Sequence, residues 1–163
     1  MDLRPGEFAA VALAFVYFFC LLASYYVLRP LRDEMGIQGG VENLPWTFTA
    51  TFAAMLAAVP VYGWAVSRFP LRRLLPGVYV FFALNLAVFW ALFAAGVERP
   101  AVAIAFFVWV SVFNLFVVSV FWSFMTDLFD TGQAKRLFGP IAAGGSLGAV
   151  AGPAVTVAVV GSV

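Results

Sequence analysis

The sequence predicts an all-α integral membrane protein with five spanning helices, and three observations carry that prediction. Of 163 residues, 64% are hydrophobic and only 10% charged, whereas soluble domains are about half apolar and about a quarter charged. The 9 Lys+Arg and 8 Asp+Glu, for a net charge of +1, are confined to the short segments 1–7, 29–42, 68–73, 98–99 and 127–136. Between and after them lie the uncharged runs 8–28, 43–67, 74–97, 100–126 and 137–163, of 21, 25, 24, 27 and 27 residues. A bilayer core about 30 Å thick needs roughly 20 apolar residues of helix, so each run suffices. The runs are continuously apolar rather than alternating as barrel strands do, and a helix satisfies its own backbone where lipid offers no partner.

The same numbers exclude other classes. Disordered chains are poor in apolar residues, and nucleic-acid binding needs a basic surface that net +1 does not supply. A single cysteine, Cys20, forms no intrachain disulfide, and with no histidine the chain offers no zinc-ligand set. No cofactor or metal is expected. An integral-membrane enzyme would need a catalytic cluster, and none is visible; Gly144-Gly145-Ser146 lacks the lysine of a phosphate-binding loop.

The first run is too long for a signal-peptide core of about 7–15 residues, and Asp2 and Glu7 replace the expected basic start. It therefore reads as a retained helix. At 100° per residue, Tyr17, Ser24, Tyr25, Arg29 and Arg32 fall on one side, a stripe expected to face protein or a water-filled cavity. If the helix continues past Pro30, Arg29 can pair with Asp33. Two readings of Arg29 and Arg32 stand side by side: snorkelling to headgroups, or lining the outer mouth of an anion pathway, where guanidinium suits carboxylate or phosphate.

The second run carries Ala53, Ala54, Ala57 and Ala58, which let a neighbour approach closely. Its hydroxyls Thr47, Thr49 and Thr51 are expected to bond their own backbone. Asn85 in the third run, and Ser111 and Asn114 in the fourth, are expected to hold neighbouring helices together, with Asn114 the better substrate contact of the asparagines. In the fourth run Ser119, Ser123, Thr126, Asp127 and Asp130 share a face that ends in Gln133-Ala134-Lys135-Arg136. The first and fourth helices thus place polar stripes and charged ends at opposite membrane faces, as an inverted repeat of three helices plus three would. The fifth run holds Gly139, Gly144, Gly145, Gly148, Gly152 and Pro153, suited either to a hinge or to tight static packing.

With five spans, one side carries Arg4, Arg68, Arg72, Arg73, Lys135 and Arg136, and the other Arg29, Arg32 and Arg99. The positive-inside rule puts the N-terminus in the cytoplasm. Trp46 and Trp64 near run ends suit interfacial anchoring. The odd number of spans, with no polar tail after the fifth, predicts an N-terminal fragment of a larger transporter; a complete five-helix protein is the alternative.

Two segments resemble the major facilitator superfamily. Gly63, Arg68 and Arg72 match its signature loop between the second and third helices, while Ser67 stands for the usual Asp and Pro70 for the second Gly. Gly139, Gly148, Gly152 and Pro153 match its antiporter motif, whose terminal Gly-Gly is replaced by Thr156-Val157. Ser24-Tyr25-Tyr26-Val27-Leu28-Arg29-Pro30-Leu31-Arg32-Asp33, with Phe121-Trp122-Ser123-Phe124 and Gln133-Ala134-Lys135-Arg136-Leu137-Phe138-Gly139, is similar to the N-terminal half of bacterial relatives of the ATP/ADP translocases. That resemblance implies a twelve-helix facilitator bundle in a bacterial cytoplasmic membrane and nucleotide antiport. It also implies that Arg29, Arg32, Lys135 and Arg136 attract phosphate or form gate pairs with Asp33, Asp127 and Asp130. The nucleotide exchangers carry a lysine near the start of the second helix, where this chain reads Asn43-Leu44-Pro45-Trp46; the fold can be shared with a different substrate.

The functional expectation is a secondary transporter, an antiporter of a nucleotide-like or other organic anion working by alternating access. Its partners are the bilayer, the anion and the missing C-terminal half. The alternative is a non-transporting membrane scaffold, assembly or sensor module.

Overall fold

The computed structural model describes residues 7–97 and 99–160. Arg4 of the charge tally, and the end of the fifth run at 161–163, lie outside the described residues. Among the described residues every regular element is helical: α1 (Glu7–Gln38), a 3-10 turn (Val41–Asn43), α2 (Leu44–Arg68), α3 (Leu71–Ala94), α4 (Pro100–Leu128) and α5 (Thr131–Val160). All five α-helices are long and apolar enough to cross a membrane. The shortest, α3 with 24 residues, is about 36 Å long at 1.5 Å per residue, which exceeds the roughly 30 Å hydrocarbon core.

Side chains that would be misplaced in water cover the outside. Leu13, Trp46, Trp90 and Val157 are each more than 70% exposed; an apolar exterior of this extent marks a membrane or protein interface, and on five helices of spanning length it suits lipid. The chain is an integral membrane protein by this criterion.

Helix ends depart from the limits of the uncharged runs for local reasons. α1 passes through Pro30 and ends only before Gly39-Gly40, where Gly40 takes φ 99°, a conformation that favours glycine. Proline removes one backbone donor but does not break a helix whose flanks, Leu31 to Met35, are good helix formers. Arg29 and Arg32 are therefore helical residues rather than loop residues. α5 begins six residues before its uncharged run because Asp130 caps it, as described below.

Contacts divide the chain into two compact units, one from the N-terminus to Pro30 plus Phe121 onward, the other Leu31–Val120. In the second unit α4 supplies the core: Phe106, Phe107, Val110 and Val117 are buried, and Phe82 of α3 rests on Phe113 at 5.2 Å and Phe116 at 5.8 Å. Tyr62 Oη of α2 donates to the Ser119 carbonyl at 3.1 Å, a link between helices that no sequence pattern announced.

In the first unit, Phe18 stacks on Phe121 at 4.3 Å, and α5 lies against α1 through glycines. A methyl group at Gly144 would overlap the Phe15 carbonyl oxygen, and one at Gly148 the Phe19 carbonyl oxygen. At Gly152 it would come within 2.8 Å of the Ala23 carbonyl oxygen. These glycines recur every four residues, so they form one face on which two backbones meet without side chains between them. Gly139 is different: it is exposed, and a methyl there meets nothing.

Gly148→Leu should therefore lose the folded state in detergent or lower its stability by several kcal/mol, because the obstacle is backbone. Gly139→Ala should be neutral or stabilising by about 0.5–1 kcal/mol through helix propensity alone. Thermal unfolding of the two variants beside the parent checks both.

Candidate functional site

Most polar side chains within the helices are satisfied by their own backbone. Thr47, Thr49 and Thr51 donate to the carbonyls of Asn43, Pro45 and Thr47 at 2.8–3.0 Å. Ser24 and Ser111 do the same one turn back. Asn85 donates to the Phe81 carbonyl at 2.8 Å, so its amide serves its own helix rather than joining two helices. In hydrocarbon such a bond satisfies a donor that would otherwise be stranded.

Asn114 breaks this pattern. It is half-buried, yet its amide makes no hydrogen bond among the described residues. It also sits fourteen residues from either end of α4, about 21 Å along the helix from each end, which is the middle of the span. A second stranded donor is Trp109 Nε1, buried and without a partner among the described residues.

The charged ends of α1 and α5 are organised differently from each other. Near the end of α1, Asp33 accepts from Arg32 Nη2 at 2.6 Å and Nε at 3.0 Å. The Arg32 guanidinium also lies over the Phe107 ring, 4.8 Å from its centre, a cation–π contact. Arg29 is exposed and lies over Tyr26 at 5.5 Å. Thus Arg32, and not Arg29, is the arginine bonded to Asp33. The polar stripe of α1 divides accordingly: Tyr17 and Tyr25 are covered, while Ser24 and Arg29 are exposed.

At the start of α5, Asp130 Oδ1 accepts from the Gln133 backbone at 2.8 Å, and Gln133 Oε1 accepts from the Asp130 backbone at 3.1 Å. This reciprocal capping box satisfies two backbone donors and starts the helix. Asp130 consequently lies beyond α4, which ends at Leu128, and is not on the stripe of Ser119, Ser123, Thr126 and Asp127. Gln133 Nε2 and Arg136 Nη2 both donate to Glu7 Oε1, at 3.0 and 3.2 Å. Glu7 was absent from the sequence candidates, as was Gln133; the Asp-Thr-Gly-Gln spacing of a capping box was the available signal for the latter, whereas nothing local marks Glu7 as its partner. Asp127 and Lys135 are exposed and in no ion pair among the described residues. Asp127 occupies the last turn of α4, where the helix dipole disfavours an anion.

The α2–α3 turn holds Arg68 at the end of α2, and Arg72 and Arg73 in the first turn of α3. All three are exposed and in no ion pair among the described residues; Gly63 is exposed with open space around it. Two cavities lie in the unit Leu31–Val120. One of about 920 Å³ is bounded by α2, α3 and α4 and is almost wholly apolar, with Arg73 and Trp109 in its wall. The other, about 690 Å³, is lined by Leu31, Met35, Gln38 and Arg99 among others. Arg99 rather than Arg29 or Arg32 is the cation that this second cavity exposes.

No family model, curated protein or solved structure matches this chain.

Asp130→Ala should cost about 1 kcal/mol of stability, the usual worth of a lost N-cap, and Asp130→Asn much less. Chemical unfolding in micelles measures the difference. An equal loss in the two variants would show that the carboxylate charge, rather than the cap, is what matters there.

Proposed function

We propose that this chain forms the first five helices of a facilitator-type secondary transporter, related to the ATP/ADP translocases. It exchanges an anionic small molecule by alternating access across a bacterial cytoplasmic membrane, with its N-terminus inside. The observation that carries the reading is Asn114. An amide at mid-span, on a half-buried position and bonded to nothing among the described residues, is costly against lipid. It is accounted for if it meets substrate or water at the depth where such transporters bind their cargo. In this reading Arg29 and Arg32 attract the anion at the outer side, and Asp127 and Lys135 are available for gate pairs on the inner side. The Gly144–Gly152 face of α5 joins α1 within one rigid element of the moving half. The resemblances in the signature loop and in the glycine motif of α5 support the facilitator assignment, and the Arg29–Asp33 segment supports an anionic cargo.

Counterflow in proteoliposomes holding the full-length gene product tests this. Exchange of a labelled nucleotide or organic anion is expected, and Asn114→Leu should reduce it about tenfold or more, as loss of one buried polar contact does. A folded protein without counterflow of any such anion would point instead to a scaffold, assembly or sensor module. Undiminished exchange in Asn114→Leu would remove Asn114 from the pathway.

A further inference from the structure

The roughly 920 Å³ cavity bounded by α2, α3 and α4 is unused by the transport reading. Its wall is built from small and aromatic side chains, with Ala57, Gly77 and Phe81 exposed along it. The lining stretch is long on two of the three helices. It runs from Arg73 to Phe82 on α3 and from Ala105 to Phe116 on α4, about 13 and 17 Å of helix respectively. That is close to the half-thickness, about 15 Å, of a bilayer core.

The ends of this groove differ in charge. Arg73 lines it where α3 begins, with Arg68 and Arg72 in the same turn and no carboxylate paired with any of them among the described residues. Arg68 ends α2, where a cation suits the helix dipole, but Arg72 and Arg73 stand in the first turn of α3, where cations oppose it. Farther along, the wall contains Trp109, whose buried Nε1 donor has no partner among the described residues. The groove is thus apolar over the length of one leaflet and strongly positive at the membrane surface.

We infer that this groove holds one anionic phospholipid, an acyl chain lying between α2 and α3 against α4 and the phosphate paired with Arg73. The lipid is the fitting occupant because its charge complements the turn and its chain matches the groove in both length and polarity.

Native mass spectrometry of the delipidated full chain, with phosphatidylglycerol or phosphatidylcholine added back, tests the proposal. One tightly held phosphatidylglycerol is expected, in preference to phosphatidylcholine. Arg73→Gln should weaken its retention about fivefold, the effect of one surface arginine on an anionic lipid, and Arg73→Lys should largely restore it. Gly77→Leu places its side chain in space that is open in the structure and should displace the lipid without lowering the unfolding temperature. Arg99→Gln, at the opposite ends of α3 and α4, should have no effect. Equal retention of the two lipids, or retention indifferent to both Arg73→Gln and Gly77→Leu, would overturn the inference. So would a dimer that Gly77→Leu dissociates without loss of lipid.

Discussion

Hydrocarbon offers no hydrogen bonds, and this single constraint orders the structure. Every backbone donor must be met inside its own helix, which is why the described elements are helical and why Thr47, Thr51, Ser111 and Asn85 turn their polar atoms back one turn. The constraint also gives meaning to exceptions. In water an unpartnered amide means little, because solvent supplies what the protein does not. At mid-span it marks a place where something other than lipid is expected, and Asn114 is that place on α4.

Close packing follows from the same cause. Lipid tails are as apolar as leucine, so helices gain little by hiding apolar side chains from lipid and associate through intimate fit instead. The glycine face of α5 achieves this by bringing backbone against the backbone of α1 near Phe15, Phe19 and Ala23. Where α4 packs in the other unit, the fit is made by aromatic rings, Phe82 against Phe113 and Phe89 against Phe106 among them. Charge is left to the helix ends, where Asp130 and Gln133 cap α5 and Glu7 gathers Gln133 and Arg136.

Much of the helical architecture was legible because charge is excluded from hydrocarbon, so the uncharged runs outline the spans. Their ends were less legible, since helix geometry can persist through charged residues: α1 runs on past Arg29 and Pro30 to Gln38, and α5 starts at its cap. The candidate site was legible only where a single residue type carries the signal, as with Asn114 in an apolar helix. Pairings were not. Sequence spacing allowed Arg29 to reach Asp33, but the side chain that does so is Arg32; Arg136 meets Glu7, distant in sequence, because α1 and α5 pack together. The groove beside Arg73 was invisible for a related reason: it is a gap among three helices, and its wall residues are ordinary in each helix taken alone.

The claim on which the functional account rests is that Asn114 faces an aqueous or substrate-bearing space in mid-membrane. Cys20 is the one cysteine of these 163 residues, so with Cys20 and any cysteine elsewhere in the full-length product replaced by serine, Asn114→Cys can be probed with a membrane-impermeant thiol reagent in native membranes, beside Leu84→Cys on an exposed apolar face of α3. The account predicts labelling at position 114 that a bound anionic substrate slows, and none at position 84. Absence of labelling at both positions, in a protein shown to be inserted and folded, would contradict it.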